Sequence, residues 1–445
     1  MAEPPDGGRP SLKKEINALQ LWAIAVGLVI SGEYFGWNYG WQTSGTIGFL
    51  ISTAIVTVLY ITFIFSFTEL TAAIPDAGGA FTYTSRAFGR IGGFMAGYAA
   101  LVDFALGPPA IAYALGSYSH FLNPAIPVIP TAIACYVIFI GINFFGIKGS
   151  AQFSLFITIL SVAELLLFIA IIFPYFSTKN FIANNPATIE TGNVLAGIPY
   201  AIWFFIAIEG VAMVAEEVKE PRKIIPKSYI SSILTLVILA FGVMVLSGGV
   251  GDWRKLATID HPMPEILSMA LGKGSIWSKI FASLGLFGLI ASFHCNVISY
   301  SRQIYAMARE GFLPSFLAEL HPKYNTPYWA LIVGGLIGLI AIFSGTTDQI
   351  IILSVMGAML MYILSILSLF VLRSKEPNLE RPFLAPFYPY FPAIALGLSV
   401  LSLFTMAYYN PKLAGLFFVG LVISTSIFAI KGIDYVKIPK PKTFP

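Results

Sequence analysis

Long apolar runs, each ended by a short cluster of Gly, Pro, Asn or charged residues, recur along almost the whole chain. Runs long enough to cross a bilayer, about 17 residues or more, begin near Asn17, Thr46, Gly92, Pro127, Ala151, Val194, Ser228, Ile276, Tyr328, Ile350, Phe391 and Leu413. The pattern predicts twelve spanning helices, an even number that returns the chain to its starting side. The opening stretch, "MAEPPDGGRPSLKKEI", is polar and rich in Pro and Gly, and no short apolar core with a small-residue cleavage site follows it. We therefore expect a disordered cytoplasmic tail and an uncleaved first span.

Two of the apolar runs are interrupted in the same way. "VISGEYFG" (29–36) and "FIAIEGVA" (205–212) each place a glutamate and a glycine inside a span. They lie in the first and sixth helices, so five helices form a unit and the next five repeat it. After an odd number of crossings the second copy lies upside down. Interrupted helices in corresponding positions of two halves point to a binding site near the midplane. The chain then divides into a tail 1–16, a first five-helix unit 17–176, an external loop 177–193 and an inverted unit 194–372. A cytoplasmic loop 373–390, helices eleven and twelve at 391–431 and a tail 432–445 complete it. Between helices seven and eight, "GDWRKLATIDHPMPEILSMALGKG" is a long, partly amphipathic external loop suited to capping an outer vestibule.

Composition agrees with a lipid-solvated chain. Of the 445 residues 57% are hydrophobic and 11% charged, and the mean hydropathy is +0.80; so few charges cannot cover that much apolar surface in water. The net charge of +4 comes from residues scattered through loops, with no basic stripe to bind nucleic acid. Of the Lys and Arg residues, 20 fall in the tails and alternate loops and 6 on the opposite side, which predicts cytoplasmic termini and a multi-pass protein of the plasma (inner) membrane. Two cysteines in apolar runs and four dispersed histidines build neither a disulfide framework nor a metal set. The same dispersal argues against an intramembrane enzyme acting on lipid headgroups, which needs a polar catalytic cluster.

Three stretches carry a family resemblance: "IPDAGGAFTYTSRAFGRIGGFMAGY" (74–98), "EEVKEPRKIIP" (216–226) and "SRQIYAMAREGFLP" (301–314). Their order and placement resemble the amino acid, polyamine and organocation (APC) transporter superfamily over nearly the whole chain. "VISGEYFGWNYG", "FSFTELTAAIP", "AIWFFIAIEGVAMVAEEVKEP" and "SRQIYAMAR" look like its ethanolamine permease branch. The resemblance implies an all-α polytopic membrane protein with a LeuT-type 5+5 inverted repeat, broken helices one and six, and two extra helices. It also implies secondary active transport by alternating access, with no cofactor. The expected partners are a small amine substrate and the lipid bilayer.

Four acids lie in spanning segments: Glu33, Asp103, Glu164 and Glu209. A carboxylate near the membrane centre is costly unless it meets water, a cation or a partner, and such groups default to function. Asp103 is the candidate contact for a substrate ammonium, with an internal salt bridge or a protonated buried acid as the plainer reading. Glu209, at the expected break of helix six, is the candidate coupling or gating group, or else a structural hydrogen bond tying the broken helix to a neighbour. Glu33 is a weaker substrate contact that can equally lie at the outer end of helix one and see water; Glu164 has no assigned role.

Superfamily members that carry amino acids have a Gly-Ser-Gly-like stretch in helix one, which the resemblance suggests cradles a carboxylate. Here Ile30, Ser31 and Gly32 stand there, and a bulky Ile fits an amine without a carboxylate. Ser31 and Gly32 are candidate ligands, or else they only permit close helix packing. Trp203 is placed to stack over an ammonium, and Ile206 and Asn296 complete the expected site. His294 reads as a hydrogen-bonded packing residue. "GGAF" with Arg86 and Arg90 reads as a cytoplasmic gating loop or as topology signal. Where several proton-coupled relatives carry a lysine in helix five, this chain has Ser161, three residues after Thr158. Coupling to H+ through a lysine is then in doubt; a hydroxyl at Ser161 can help ligate Na+, Glu209 can carry the coupling, or the carrier exchanges without an ion.

Overall fold

The computed structural model describes residues 14–145, 147–186, 188–272 and 274–431, so residues 1–13 and 432–445 of the expected tails lie outside the described residues. The first helical residues follow from local chemistry. Asn17 and Gln20 form a reciprocal cap, each side chain accepting from the other's backbone N–H at 3.0 Å, and this starts α1 (Ala18–Val29). The remaining helices are α2 (Ser31–Tyr34), α3 (Tyr39–Ala73), α4 (Ala80–Leu122), α5 (Val128–Phe144), α6 (Ile147–Ile172), α7 (Thr178–Ile182) and α8 (Thr191–Ile202). A 3-10 segment (Ile208–Glu217) follows, then α9 (Pro221–Gly248), α10 (Pro262–Leu271), α11 (Ile276–Arg309), α12 (Tyr328–Ser344), α13 (Thr347–Lys375), α14 (Tyr390–Tyr409) and α15 (Pro411–Lys431).

Among the described residues, eight helices are long and apolar enough to span a membrane unaided. Three shorter apolar helices, Ala18–Tyr34, Val128–Phe144 and Tyr328–Ser344, and the interrupted pair Thr191–Ile202 and Ile208–Glu217 fill the other places of the predicted series. At 1.5 Å per residue a 17-residue helix reaches about 26 Å, just under a typical hydrocarbon core. The protein is therefore an all-α polytopic membrane protein whose first and sixth helices are interrupted within their apolar runs.

The two interruptions differ in depth. Helix one is broken only at Ile30, which keeps right-handed helical angles (φ −57°, ψ −22°), and the chain leaves the helix at Phe35 (φ −162°). Helix six stops at Ile202, passes through turns, and bends sharply at Ala207 (φ +76°) before the 3-10 segment. A non-glycine residue in that left-handed region costs about 1–2 kcal/mol. That strain sits in the wall of the cavity described below, which Ala207 lines.

Several features differ from, or add to, the sequence expectation. Helix three, expected from Gly92, begins at Ala80 and bends at Gly89 (φ +77°), because the Ala80–Phe88 leg buries Phe81, Tyr83, Thr84 and Ala87 against the bundle end. Of the expected "GGAF" loop Gly78 and Gly79 are a turn and Ala80 and Phe81 begin the helix, and Arg86 on that leg pairs with Glu376 at 2.5 Å. The tail expected to be disordered through residue 16 is ordered at its end: the amides of Glu15 and Ile16 donate to the Glu217 carbonyl at 2.9 Å, and Lys219 donates to Ile16 at 3.1 Å. Ile16 is apolar and 1% exposed, which fastens the start of helix one to the end of helix six. The loop between α9 and α11 carries α10 and packs back over the connection between α2 and α3: the Asn38 amide donates to the carbonyls of Leu256 (2.6 Å) and Ile259 (2.9 Å).

Candidate binding site

The break in helix six faces a small cavity enclosed by α1, α2, α4, α11 and α13. Its lining includes Leu28, Val29, Ser31, Asp103, Gly107, Ile111, Trp203, Ile206, Ala207, Asn296 and Ser354. Its volume, about 10 Å³, is barely room for one water, so any organic ligand requires its walls to separate. One acid and no basic side chain line it.

On the helix-one side the polar groups satisfy one another. Ser31 Oγ and Ser292 Oγ lie 2.8 Å apart. Ser292 Oγ donates to the Leu28 carbonyl at 2.6 Å, and the Asn296 amide donates to the same oxygen at 3.0 Å. α11 thereby holds the carbonyl exposed near the helix-one break. On the opposite wall Asp103 is 2% exposed; its Oδ1 accepts from Ser354 Oγ at 2.9 Å, while Oδ2 has no donor among the described residues.

Glu209 does not line the cavity but stands directly behind it, 1% exposed. Its carboxyl group lies within hydrogen-bonding reach of the Asp103 carboxyl. Oε2 accepts from the Tyr362 hydroxyl at 2.6 Å, the Tyr362 and Tyr60 hydroxyls are 3.1 Å apart, and Tyr229 donates to the Glu209 carbonyl at 3.2 Å. Trp203 lines the cavity; its indole edge lies against Gly36, its Nε1 has no partner among the described residues, and its ring is edge-on to Phe35 at 5.6 Å.

The structure brings together Ser31, Asp103, Trp203, Ile206 and Asn296 around the cavity and sets Glu209 against Asp103. It does not bring Ile30, Gly32, Glu33 or Ser161 into the lining. Ile30 is fully buried elsewhere in the core. Gly32 is instead a point of backbone contact, since a Cβ there would come within 2.2 Å of the Trp203 carbonyl. Glu33 does not see water: it is 0% exposed, with neither carboxyl oxygen partnered among the described residues. The Ser161 hydroxyl donates to its own helix at Ile157 (2.6 Å), and it is Thr158 that reaches helix one, donating to the Ala23 carbonyl at 3.1 Å. Glu164 accepts from the Tyr34 hydroxyl at 2.8 Å, and Tyr118 donates to the Tyr34 carbonyl at 2.9 Å, so the sequence's unassigned acid buttresses α2. His294 packs on Phe153 and lies 3.0 Å from the Asn143 amide.

Sequence reasoning missed Ser292, Ser354, Tyr60 and Tyr362. A weak signal existed for two of them: Ser354 and Tyr362 are eight residues, about two turns, apart with only apolar residues and a glycine between them, on the face that α13 turns to α4 and the helix-six break.

A family model described as "Amino acid permease" matches residues 16–435. The chain belongs to this family. It is 28% identical over 411 residues to a branched-chain amino acid permease of Bacillus subtilis (strain 168), covering 87% of each chain. It is 25% identical over 372 residues to a low-affinity putrescine importer of Escherichia coli (strain K12), covering 80% of each. A serine/threonine exchanger of Bacillus subtilis (strain 168) is 24% identical over 409 residues, covering 87% of this chain and 89% of that one. The family places the protein in a membrane and among transporters, in agreement with the helices and the cavity.

Proposed function

We propose that the protein carries a small amine-bearing solute, with ethanolamine or a similar amino alcohol as the leading substrate, across the plasma (inner) membrane by alternating access and without enzymatic chemistry. The observation that carries this reading is Asp103: a buried carboxyl in the cavity wall with one oxygen undonated and no cationic side chain beside it. An ammonium supplies what that oxygen lacks, and Trp203 offers a ring face worth about 1–2 kcal/mol to the same charge when desolvated. The substrate hydroxyl is met by Ser31, Asn296 or the helix-one backbone. Both chain termini face the cytoplasm, following the bias of Lys and Arg, and the coupling ion is H+ or Na+.

A small amino acid is the second reading. Ile30 lies outside the cavity, so its bulk does not exclude a carboxylate from the helix-one side, and two of the relatives named above are an amino acid permease and an amino acid exchanger. A diamine fits less well, because Asp103 is the one acid in the cavity wall and Glu209 stands behind it rather than at an opposite end.

The test is uptake of labelled ethanolamine into proteoliposomes under separately imposed proton and sodium gradients, with amino acids, diamines and choline as competitors. Uptake blocked only by small amino alcohols supports the leading reading, and transport of an amino acid in its place supports the second. Asp103→Asn is expected to lower uptake at least tenfold with normal membrane insertion; wild-type uptake by that variant would remove Asp103 from the site.

A further inference from the structure

Two acids in contact inside a membrane protein need a third party. Asp103 and Glu209 are 2% and 1% exposed, their carboxyl groups are within hydrogen-bonding reach of each other, and each also has one oxygen held by α13, through Ser354 and Tyr362. Asp103 Oδ2 and Glu209 Oε1 have no N–H or O–H donor among the described residues. The titratable groups that face the pair are phenols: Tyr60 from α3, Tyr229 from α9 and Tyr362 from α13. α11 contributes Asn296 to the cavity lining and sets Ser299 Oγ against Gly210, next to Glu209, and no Lys, Arg or His lines the cavity. At contact distance in a medium of low dielectric, two ionised carboxylates repel strongly. A proton held between them, or a cation beside them, removes that repulsion.

We propose that Asp103 and Glu209 form one proton-holding pair, and that an ammonium binding at Asp103 displaces its single shared proton. This deepens the reading above and rests on it, since it takes the solute to carry an ammonium. Only Asp103 opens onto the cavity, while Glu209 lies behind it. A cation entering the cavity therefore meets the pair through Asp103, and its charge lets both carboxyls ionise. The O–H bond of the shared proton breaks, the proton leaves to water on the side from which the substrate entered, and both electron pairs stay on oxygen. Charge balances: two carboxyls with one proton carry −1, and two carboxylates with one ammonium also carry −1. The two loaded forms thus have the same net charge, whereas the pair with neither carries −2 and is the costly form to move through an occluded state. The carrier crosses loaded with an amine and returns loaded with a proton, a one-for-one exchange in which proton and substrate compete.

The experiment is proton release from purified protein in weakly buffered solution with a pH dye, on adding ethanolamine and, as a second arm, L-serine, with binding followed in parallel. The expected result is about one proton released per solute bound, with apparent affinity weakening about tenfold for each pH unit of acidification and an unchanged maximal transport rate. Glu209→Gln leaves a single carboxyl and is expected to bind with a pH-flat affinity and to release no proton. An infrared band of a protonated carboxyl that disappears from the wild-type protein on adding the bound solute supports the pair independently of how that variant folds. Binding without proton release, or Glu209→Gln releasing as many protons as wild type, overturns the pair and leaves the substrate reading standing. Failure of every amine-bearing solute to bind monodisperse protein overturns both.

Discussion

At the scale of single residues, Gly32 carries the clearest consequence. Its α-carbon meets the Trp203 carbonyl so closely that an added Cβ would stand 2.2 Å from that oxygen and 3.1 Å from the Phe204 α-carbon. Both contacts are backbone, so no side-chain rotation relieves them, and the two interrupted helices must part. Gly32→Ala is expected to lower uptake at least tenfold and to reduce the thermal midpoint in detergent; an unchanged midpoint with full uptake would show that the two breaks do not touch in this way. The acids of the site were legible in the sequence because a carboxyl within an apolar run is conspicuous and costly. Their partners were not. Ser354, Tyr362 and Ser292 are ordinary residues of membrane helices, and only the packing of α13 and α11 shows which oxygen each one reaches. Glu33 shows the converse limit: its position in the run suggested the water-facing end of helix one, yet α2 is wholly buried.

At the scale of elements, the end of the bundle that carries both described chain ends is closed by ion pairs between segments distant in sequence. Glu69 at the end of α3 is 1% exposed and accepts two bonds from Arg373 of α13, at 2.8 and 2.6 Å; Arg381 lies at 3.3 Å and the Ala385 amide donates at 2.7 Å. Glu216 similarly joins Arg309 of α11 at 2.8 Å and the Ala77 amide at 3.0 Å, linking helix six to the α3–α4 connection. Removing one member of a buried pair leaves the others uncompensated, which costs about 3–5 kcal/mol. Glu69→Ala is therefore expected to lower the thermal midpoint well beyond what an exposed charge does, with Arg222→Ala, whose pair with Glu380 is 55% and 70% exposed, as the mild control. Equal effects of the two changes would mean that burial does not set the strength of these pairs. Element positions were largely legible, because length and apolarity alone locate a span. Element ends were less so: the α4 leg from Ala80 to the Gly89 bend and the docked Glu15–Ile16 segment depend on tertiary burial of a few apolar side chains.

At the scale of the whole molecule, the orientation in the membrane is a statement about charge that the ion pairs complicate. Several of the basic residues counted for the cytoplasmic side, among them Arg86, Arg302, Arg309 and Arg373, have acids against them in the folded protein. The rule acts while segments insert, before those pairs exist, and acidic residues weigh little in it, so the pairing leaves the predicted direction intact. Lys223, which follows helix six, and Lys179, in the connection after α6, are both exposed and lie on opposite sides of that prediction. With Cys135 and Cys295 replaced, a cysteine at Lys179 is expected to react with a membrane-impermeant maleimide in intact cells, and one at Lys223 only in inverted vesicles. The reverse pattern would turn the carrier over, placing the ion-pair closure outside and the α10 loop within. The proposed substrate and proton sites would keep their residues, and only the side from which the acid pair is proposed to receive its cation would be exchanged.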